Sequence, residues 1–247
     1  MARRYVIRQD AAPVAPISGI DYRTALNEEQ YAAVSSEPGP ALVIAGAGSG
    51  KTRTLTYRVA WLLDHGTDPW NILLLTFTNK AAREMTERVR SLIPLDLSRL
   101  WSGTFHSIAN RILRQHAEYL GYTPAFTIMD SDDRKSMIKS VVKSLKLDEK
   151  STRFPKPEVL SSLFSLADNE GANIRETQEN AYPYLSNHLD AILEVHDQYV
   201  ARKQETNSMD FDDLLLNVVR LFQEQEHLRA LYGSRFQHIL AVSYTHL

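Results

Sequence analysis

The chain has 247 residues, 43% hydrophobic and 23% charged, enough to bury a full core in one large domain or two smaller ones. A formal net charge of −2 excludes a protein coated in positive charge, so any nucleic-acid contact has to come from local patches. The absence of cysteine excludes disulfides, thiolate metal sites and thiol nucleophiles, and fits a reducing cytoplasm; no apolar run approaches the ~20 residues that span a bilayer, and no apolar core follows the arginines of Met1–Asp10 as a signal peptide requires.

Met1 to about Tyr22, with Pro13, Pro16 and few large apolar residues, reads as a mobile or loosely docked extension, residues 1–21. A helix then begins in Leu26-Asn-Glu-Glu-Gln30, with Asn27 as its N-cap and Gln30 at the third helical position, as in a capping box. After the turn Glu37-Pro-Gly-Pro40, the apolar run Ala41 to Ala45 reads as a buried parallel strand. Gly46, Ala47, Gly48, Ser49, Gly50, Lys51 and Thr52 follow with the spacing of a phosphate-binding loop, except that Ala45 stands where that pattern has its first glycine. Such glycines let the chain turn tightly, while N–H groups without helical partners and the helix dipole favour an anion. Lys51 is placed to reach the β- and γ-phosphates of a nucleotide, and the Thr52 hydroxyl to ligate Mg²⁺. Leu55, Val59, Leu62 and Leu63 continue the helix that these two residues open.

Ile72 to Thr76 is a second buried strand, leading through Phe77, Thr78 and Asn79 into a helix from about Lys80 to Leu92. Two strand–helix units in succession give a parallel sheet with ligands at the carboxyl ends of its strands. Leu100 to Thr104 supplies a third strand, and Phe105 begins a helix whose exposed positions are the basic Arg111 and Arg114. Phe105 fits either a core aromatic at a strand end or a stacking surface. From about 118 to 208 the β-branched runs vanish and helical segments follow one another. This predicts an all-helical module inserted into an α/β domain made of residues 22–117 and 209–242. Within the module Asp130 or Ser131 caps a helix, Tyr184 to Lys203 forms a long one, and Lys156 in a proline-flanked loop is either solvated or set against phosphate. Asp210, Asp212 and Asp213 suit the first turn of a further helix without any metal. Phe236 to Val242 is one more core strand, and 243–247 an atypical tail.

Four of these stretches, Leu26–Gln30, Ala45–Arg53, Leu75–Ala82 and Gly103–Ser107, together resemble the Q motif and motifs I, Ia and Ib of UvrD/PcrA/Rep-like superfamily 1 DNA helicases. Phe126–Asp130 and Met209–Leu215 resemble later signatures of that family, and the resemblance runs from about Tyr22 to Leu240. It implies a RecA-like P-loop NTPase domain with a parallel sheet and an inserted helical subdomain. It implies further that Gln30 reads the adenine edge, that Arg53 packs on the adenine face, and that Ala45 to Thr52 hold ATP and Mg²⁺. Phe77, Thr78, Asn79, Thr104, Phe105 and His106 are the implied contacts to single-stranded DNA, with Phe77 stacking on a base. The implied activity is 3′–5′ translocation driven by ATP, the helical module facing duplex at a single-strand/double-strand junction.

The sequence departs from the family at Ala241, Val242 and Ser243, where the family continues into Val-Asp-Glu. No carboxylate stands there to hold Mg²⁺ or orient water, and the second RecA-like domain with its arginine finger is not among these residues. A finger alone contributes ~10³–10⁵ in rate, so this chain is expected to bind nucleotide and strand but hardly to turn over. The alternative, a P-loop small-molecule kinase, needs an acceptor pocket and a lid arginine cluster where this sequence has Phe77–Asn79.

Overall fold

A computed structural model describes residues 16–46, 48–147 and 154–242, a mixed α/β arrangement dominated by helices. It resolves into two compact units, one of residues up to Ile108 together with those from Arg229 on, the other of Ala109–Leu228.

The first unit is built on three parallel strands, β1 (Ile72–Thr76), β2 (Trp101–Thr104) and β5 (His238–Ala241), in the order β2-β1-β5. Every residue of β1 is buried, as a central parallel strand requires of an unbroken apolar run. Leu75 lies opposite Gly103 on one side and Ala241 on the other. Helices α1 (Tyr22–Ala25), α2 (Glu28–Ser35), α3 (Lys51–Asp64) and α4 (Asn79–Leu92) belong here. Val34 of α2, Val59 and Leu63 of α3, and Met85 and Val89 of α4 close over Ile72 and Leu74 in one core. The last residues of α11 (Glu226–Arg235) lead into β5, with the Arg235 guanidinium 3.2 Å from the centre of the Trp70 ring and 4.1 Å from that of Trp101.

Two expectations change in this unit. Residues 41–46 form no strand: Leu42, Val43 and Ile44 are 64%, 55% and 89% exposed. A strand needs a neighbour for its N–H and C=O groups, and among the described residues the only strands in this sheet are the three named. Residues 17–22, expected to dock loosely, are instead anchored. The buried Asp64 carboxylate, at the end of α3, accepts from the Ile17 and Ser18 N–H groups at 2.8 Å each and from the Tyr22 hydroxyl at 2.9 Å. The expectation for residues 1–15 lies outside the described residues, as do those for Ala47 and the tail 243–247.

The second unit takes most of α5 (Phe105–His116), then β3 (Thr127–Ile128), α6 (Ser131–Ser144), α7 (Pro157–Glu170), α8 (Ile174–Ala181), α9 (Leu189–Glu205), β4 (Ser208–Met209) and α10 (Phe211–Glu224). Its core is Ile138 and Val141 of α6, Leu160, Leu163 and Phe164 of α7, and Ile192, Val195 and Tyr199 of α9. β3 and β4 pair in parallel over two residues each, a ladder too short for periodicity to reveal. The acids that open α10 tie it to the helices of this unit. Lys203 of α9 donates to Asp210 and Asp213, and Arg134 of α6 pairs with Asp212, which holds α10 to its helical neighbours. Asp130, not Ser131, caps α6, in a capping box with Asp133.

Candidate functional site

The glycine loop is shaped by backbone that only glycine adopts readily: Gly48 and Gly50 have φ of 78° and 86°. Gly50 is the N-cap of α3 and brings no side chain to its first-turn N–H groups, which leaves that end available to an anion. The Lys51 ammonium folds back to donate to the Ala45 and Gly46 carbonyls, at 3.0 and 3.1 Å. The Ser49 hydroxyl donates to the Gly46 carbonyl at 2.7 Å, and half-buried Thr52 sits in the first turn of α3.

Two contacts join this loop to α1 and α2. Gln30 completes a capping box with Asn27 and also donates through Nε2 to the Ser49 carbonyl at 3.1 Å. An added Cβ on Gly50 would lie 2.8 Å from Gln30 Nε2, so a side chain there would push the amide aside. The Arg53 guanidinium donates to the Ala25 carbonyl at 2.8 Å and stands 5.2 Å from the centre of the Tyr57 ring. Gln30 thus touches the loop directly, and Arg53, in the first turn of α3, reaches back to the end of α1.

A second group of residues lies where β1 and β2 end. Thr76 is opposite Thr104 in the parallel register, so Phe77–Asn79 and Phe105–His106 leave adjacent strands at the same edge. The Thr76 hydroxyl donates to the Thr78 carbonyl at 2.9 Å, and Thr78 Oγ1 caps α4 by accepting from the Ala81 N–H at 3.1 Å. This tight turn leaves Phe77 53% exposed. Thr78 and Asn79 are exposed, and Thr104, Phe105 and His106 half-buried. Thr104 Oγ1 accepts from the Ser107 N–H at 3.1 Å at the start of α5. Beside these residues a groove of about 430 Å³ runs along α4, lined by Asn79, Arg83, Thr86, Ser102, Gly103 and Ser107 among others. Sequence reasoning counted Arg83 only within the basic stretch from Phe77 to Arg114 and passed over Thr86 and Ser102; Gly103 of β2 marks the close approach of α5, since an added Cβ would lie 2.4 Å from Ser107 Oγ. Arg114, read as an exposed basic position, is committed elsewhere. Its guanidinium lies 3.8 Å from the centre of the Phe126 ring and donates to the Pro124 and Phe126 carbonyls.

Asp210, which opens α10, sits among buried charges of the second unit. Burial alone would raise the Asp210 carboxyl, but Lys203, Arg134 and the Tyr199 hydroxyl, donating at 2.6 Å, hold it below its ordinary value. Asp168 has weaker compensation: burial, reinforced by Asp210 and Asp212 and opposed by Lys203 and Arg134, pushes it up to about 6. Burial and Lys203 lower His196.

Residues 26–243 match the family described as the UvrD/REP helicase N-terminal domain. The chain belongs to that family. It is 40% identical over 215 residues to the ATP-dependent DNA helicase PcrA of Staphylococcus aureus (strain NCTC 8325 / PS 47) and, to the same degree, to that of Staphylococcus epidermidis (strain ATCC 12228 / FDA PCI 1200). These alignments cover 87% of this chain and 29% of each relative, so the chain corresponds to an N-terminal part of such a helicase. The UvrD/REP match starts at the capping box of α2 and runs through β5, taking in both the glycine loop and the edge that carries Phe77 and Phe105.

Proposed function

We propose that this chain is the ATP- and single-stranded-DNA-binding N-terminal part of a 3′–5′ DNA helicase. In this reading residues 22–117 and 209–242 form a RecA-like P-loop domain and 118–208 an inserted helical subdomain that faces the junction between single-stranded and duplex DNA. The observation that carries it is the parallel register of Thr76 with Thr104, which sets an exposed Phe77 beside Phe105 and His106 at one sheet edge. Bases stack on such aromatics whatever their sequence, for roughly 1–3 kcal/mol each. Thr78, Asn79 and Thr104 offer polar groups to the same strand.

The loop residues fit ATP and Mg²⁺. Lys51 is exposed and held only by two neutral carbonyls, which a triphosphate outcompetes by charge. Gly46, Gly48, Ser49 and Gly50 would wrap the phosphates, with Ala45 and Ala47 completing the loop and Thr52 serving the metal, which supplies neutralisation of phosphate charge. After its bonds to Asn27 and Ser49, Gln30 retains an acceptor lone pair and an N–H, the pair that an adenine edge takes. Arg53 offers a planar cation to the ring face.

Turnover needs more. Ala241 and Val242 provide no carboxylate, and Ser243 lies outside the described residues. The chain of 247 residues is therefore assigned binding without appreciable hydrolysis, the second RecA-like domain and the finger belonging to the rest of the parent protein. That parent works on DNA in the cytoplasm, and no helix among the described residues is long and apolar enough to cross a membrane.

The test is a pair of titrations on the 247-residue chain, with a fluorescent ATP analogue and a labelled oligo-dT. Lys51→Ala should weaken nucleotide binding at least ~10-fold and leave the oligonucleotide alone. Phe77→Ala should weaken the oligonucleotide roughly 5- to 150-fold and leave the nucleotide alone. Oligonucleotide binding by Phe77→Ala equal to that of the unsubstituted chain would overturn the DNA half of the proposal.

A further inference from the structure

The first unit carries two halves of a ladder that do not meet. One half is the run Ala41–Ala45, whose composition is that of a strand. Among the described residues no hydrogen bond reaches the main chain of Leu42, Val43 or Ile44, and their side chains are exposed. The other half is the outer edge of β5. In the order β2-β1-β5 this strand pairs with β1 on one side and, among the described residues, with nothing on the other. The Val242 N–H donates to the Leu75 carbonyl at 2.9 Å. Main-chain groups alternate in direction along a strand, so those of Ile239 and Ala241 point away from β1. Both residues are exposed, Ile239 by 63%.

Each half lacks what the other supplies. Water can satisfy the main-chain groups of both, but only a neighbouring strand also takes Leu42, Val43, Ile44 and Ile239 out of water. Edge strands are commonly guarded by charge or proline. The β5 edge, His238 to Ala241, has no lysine, acid or proline, and the run Ala41–Ala45 has none either. Burial and the nearby Arg58 lower His238, which keeps the edge neutral at pH 7.

We propose that a second copy of this chain occupies the open side of β5, Leu42–Ile44 of one molecule adding as a strand to the edge of the next. Every molecule carries both halves, and the two neutral, apolar surfaces meet without opposing charge. The contact is head-to-tail: it leaves one run and one edge unused, so growth continues beyond the dimer. A ladder this short buries less than the ~1,200 Å² of a stable interface, so the association is weak and depends on concentration. It uses neither Lys51 nor Phe77 and stands apart from nucleotide and DNA binding.

Sedimentation equilibrium of the full chain over about 5 to 500 µM is the test, a range that spans weak association, with far-UV circular dichroism to establish that each variant is folded. The weight-average mass of the unsubstituted protein should pass that of a dimer and keep rising. Val43→Lys disables the run and Ile239→Lys the edge, both at exposed positions. Each variant alone should stay monomeric. An equimolar mixture of the two should form a heterodimer and nothing larger, because the Ile239→Lys chain keeps its run and the Val43→Lys chain keeps its edge. Ala241→Lys, on the same exposed edge, takes the place of Ile239→Lys if that variant does not fold. A monomeric unsubstituted chain, a mixture that stays monomeric, or either variant alone associating as the unsubstituted chain does would each overturn the proposal.

Discussion

Lys51 and Lys203 sit at opposite ends of two helices, and each ammonium meets oxygen close to 3 Å away. Lys51, exposed at the start of α3, meets the neutral carbonyls of Ala45 and Gly46 at 3.0 and 3.1 Å. Lys203, 4% exposed in the last turn of α9, meets the carboxylates of Asp213 and Asp210 at 2.7 and 3.2 Å. The first set of partners is neutral and exposed, and releasing it buries no charge. The second cannot be released without leaving charge buried, which costs several kcal/mol per ion. Residue type and distance are nearly the same in the two places, so it is the charge of the partner and the access of water that separate a ligand-ready cation from a structural one.

The largest effect that would break this comparison comes from Lys203→Ala. Stripping the ammonium from between Asp210 and Asp213 should cost about 3–5 kcal/mol in urea unfolding, whereas Lys51→Ala should cost less than about 0.5 kcal/mol. Equal losses would abolish the distinction. Asp64→Ala comes next, at about 1–3 kcal/mol, since it leaves the Tyr22 hydroxyl and the N–H groups of Ile17 and Ser18 without their acceptor. Burial works to raise this carboxyl, but the bonds from Ser18, Tyr22 and Ile17 outweigh it and hold it below 3.8. Its contribution is therefore present above about pH 4 and lost as pH falls through the lowered folded value, a dependence that Asp64→Ala should remove from an acid-unfolding curve. The smallest effect has the opposite sign. Asp168, raised to about 6, favours folding most when protonated; that advantage disappears as pH rises from about 4 through 6. Asp168→Asn should raise the midpoint of thermal unfolding by about 2–4 °C at pH 7.5 and leave it unchanged at pH 4.

The site was more legible in the sequence than the sheet around it. Asn27 with Gln30, and Gly48 and Gly50 before Lys51, are local signals, each decided within four residues, and each takes the backbone form read for it. The apolar run Ala41–Ala45 misled because a strand is not a local object: its composition suits a buried ladder, but the ladder exists only if another strand lies alongside. Arg114 misled for a similar reason, its destination being a ring twelve residues further on. The acids of Asp210–Asp213 looked like ordinary helix-dipole partners, and they do cap α10; that they also hold Lys203 and Arg134 is set by tertiary packing that no spacing encodes.

Leu42, Val43 and Ile44 present a greasy ribbon to water just ahead of the glycine loop. Protein molecules meeting in solution will bury such ribbons against one another, so light scattering by the 247-residue chain should climb steeply with concentration and subside when these three side chains are made polar.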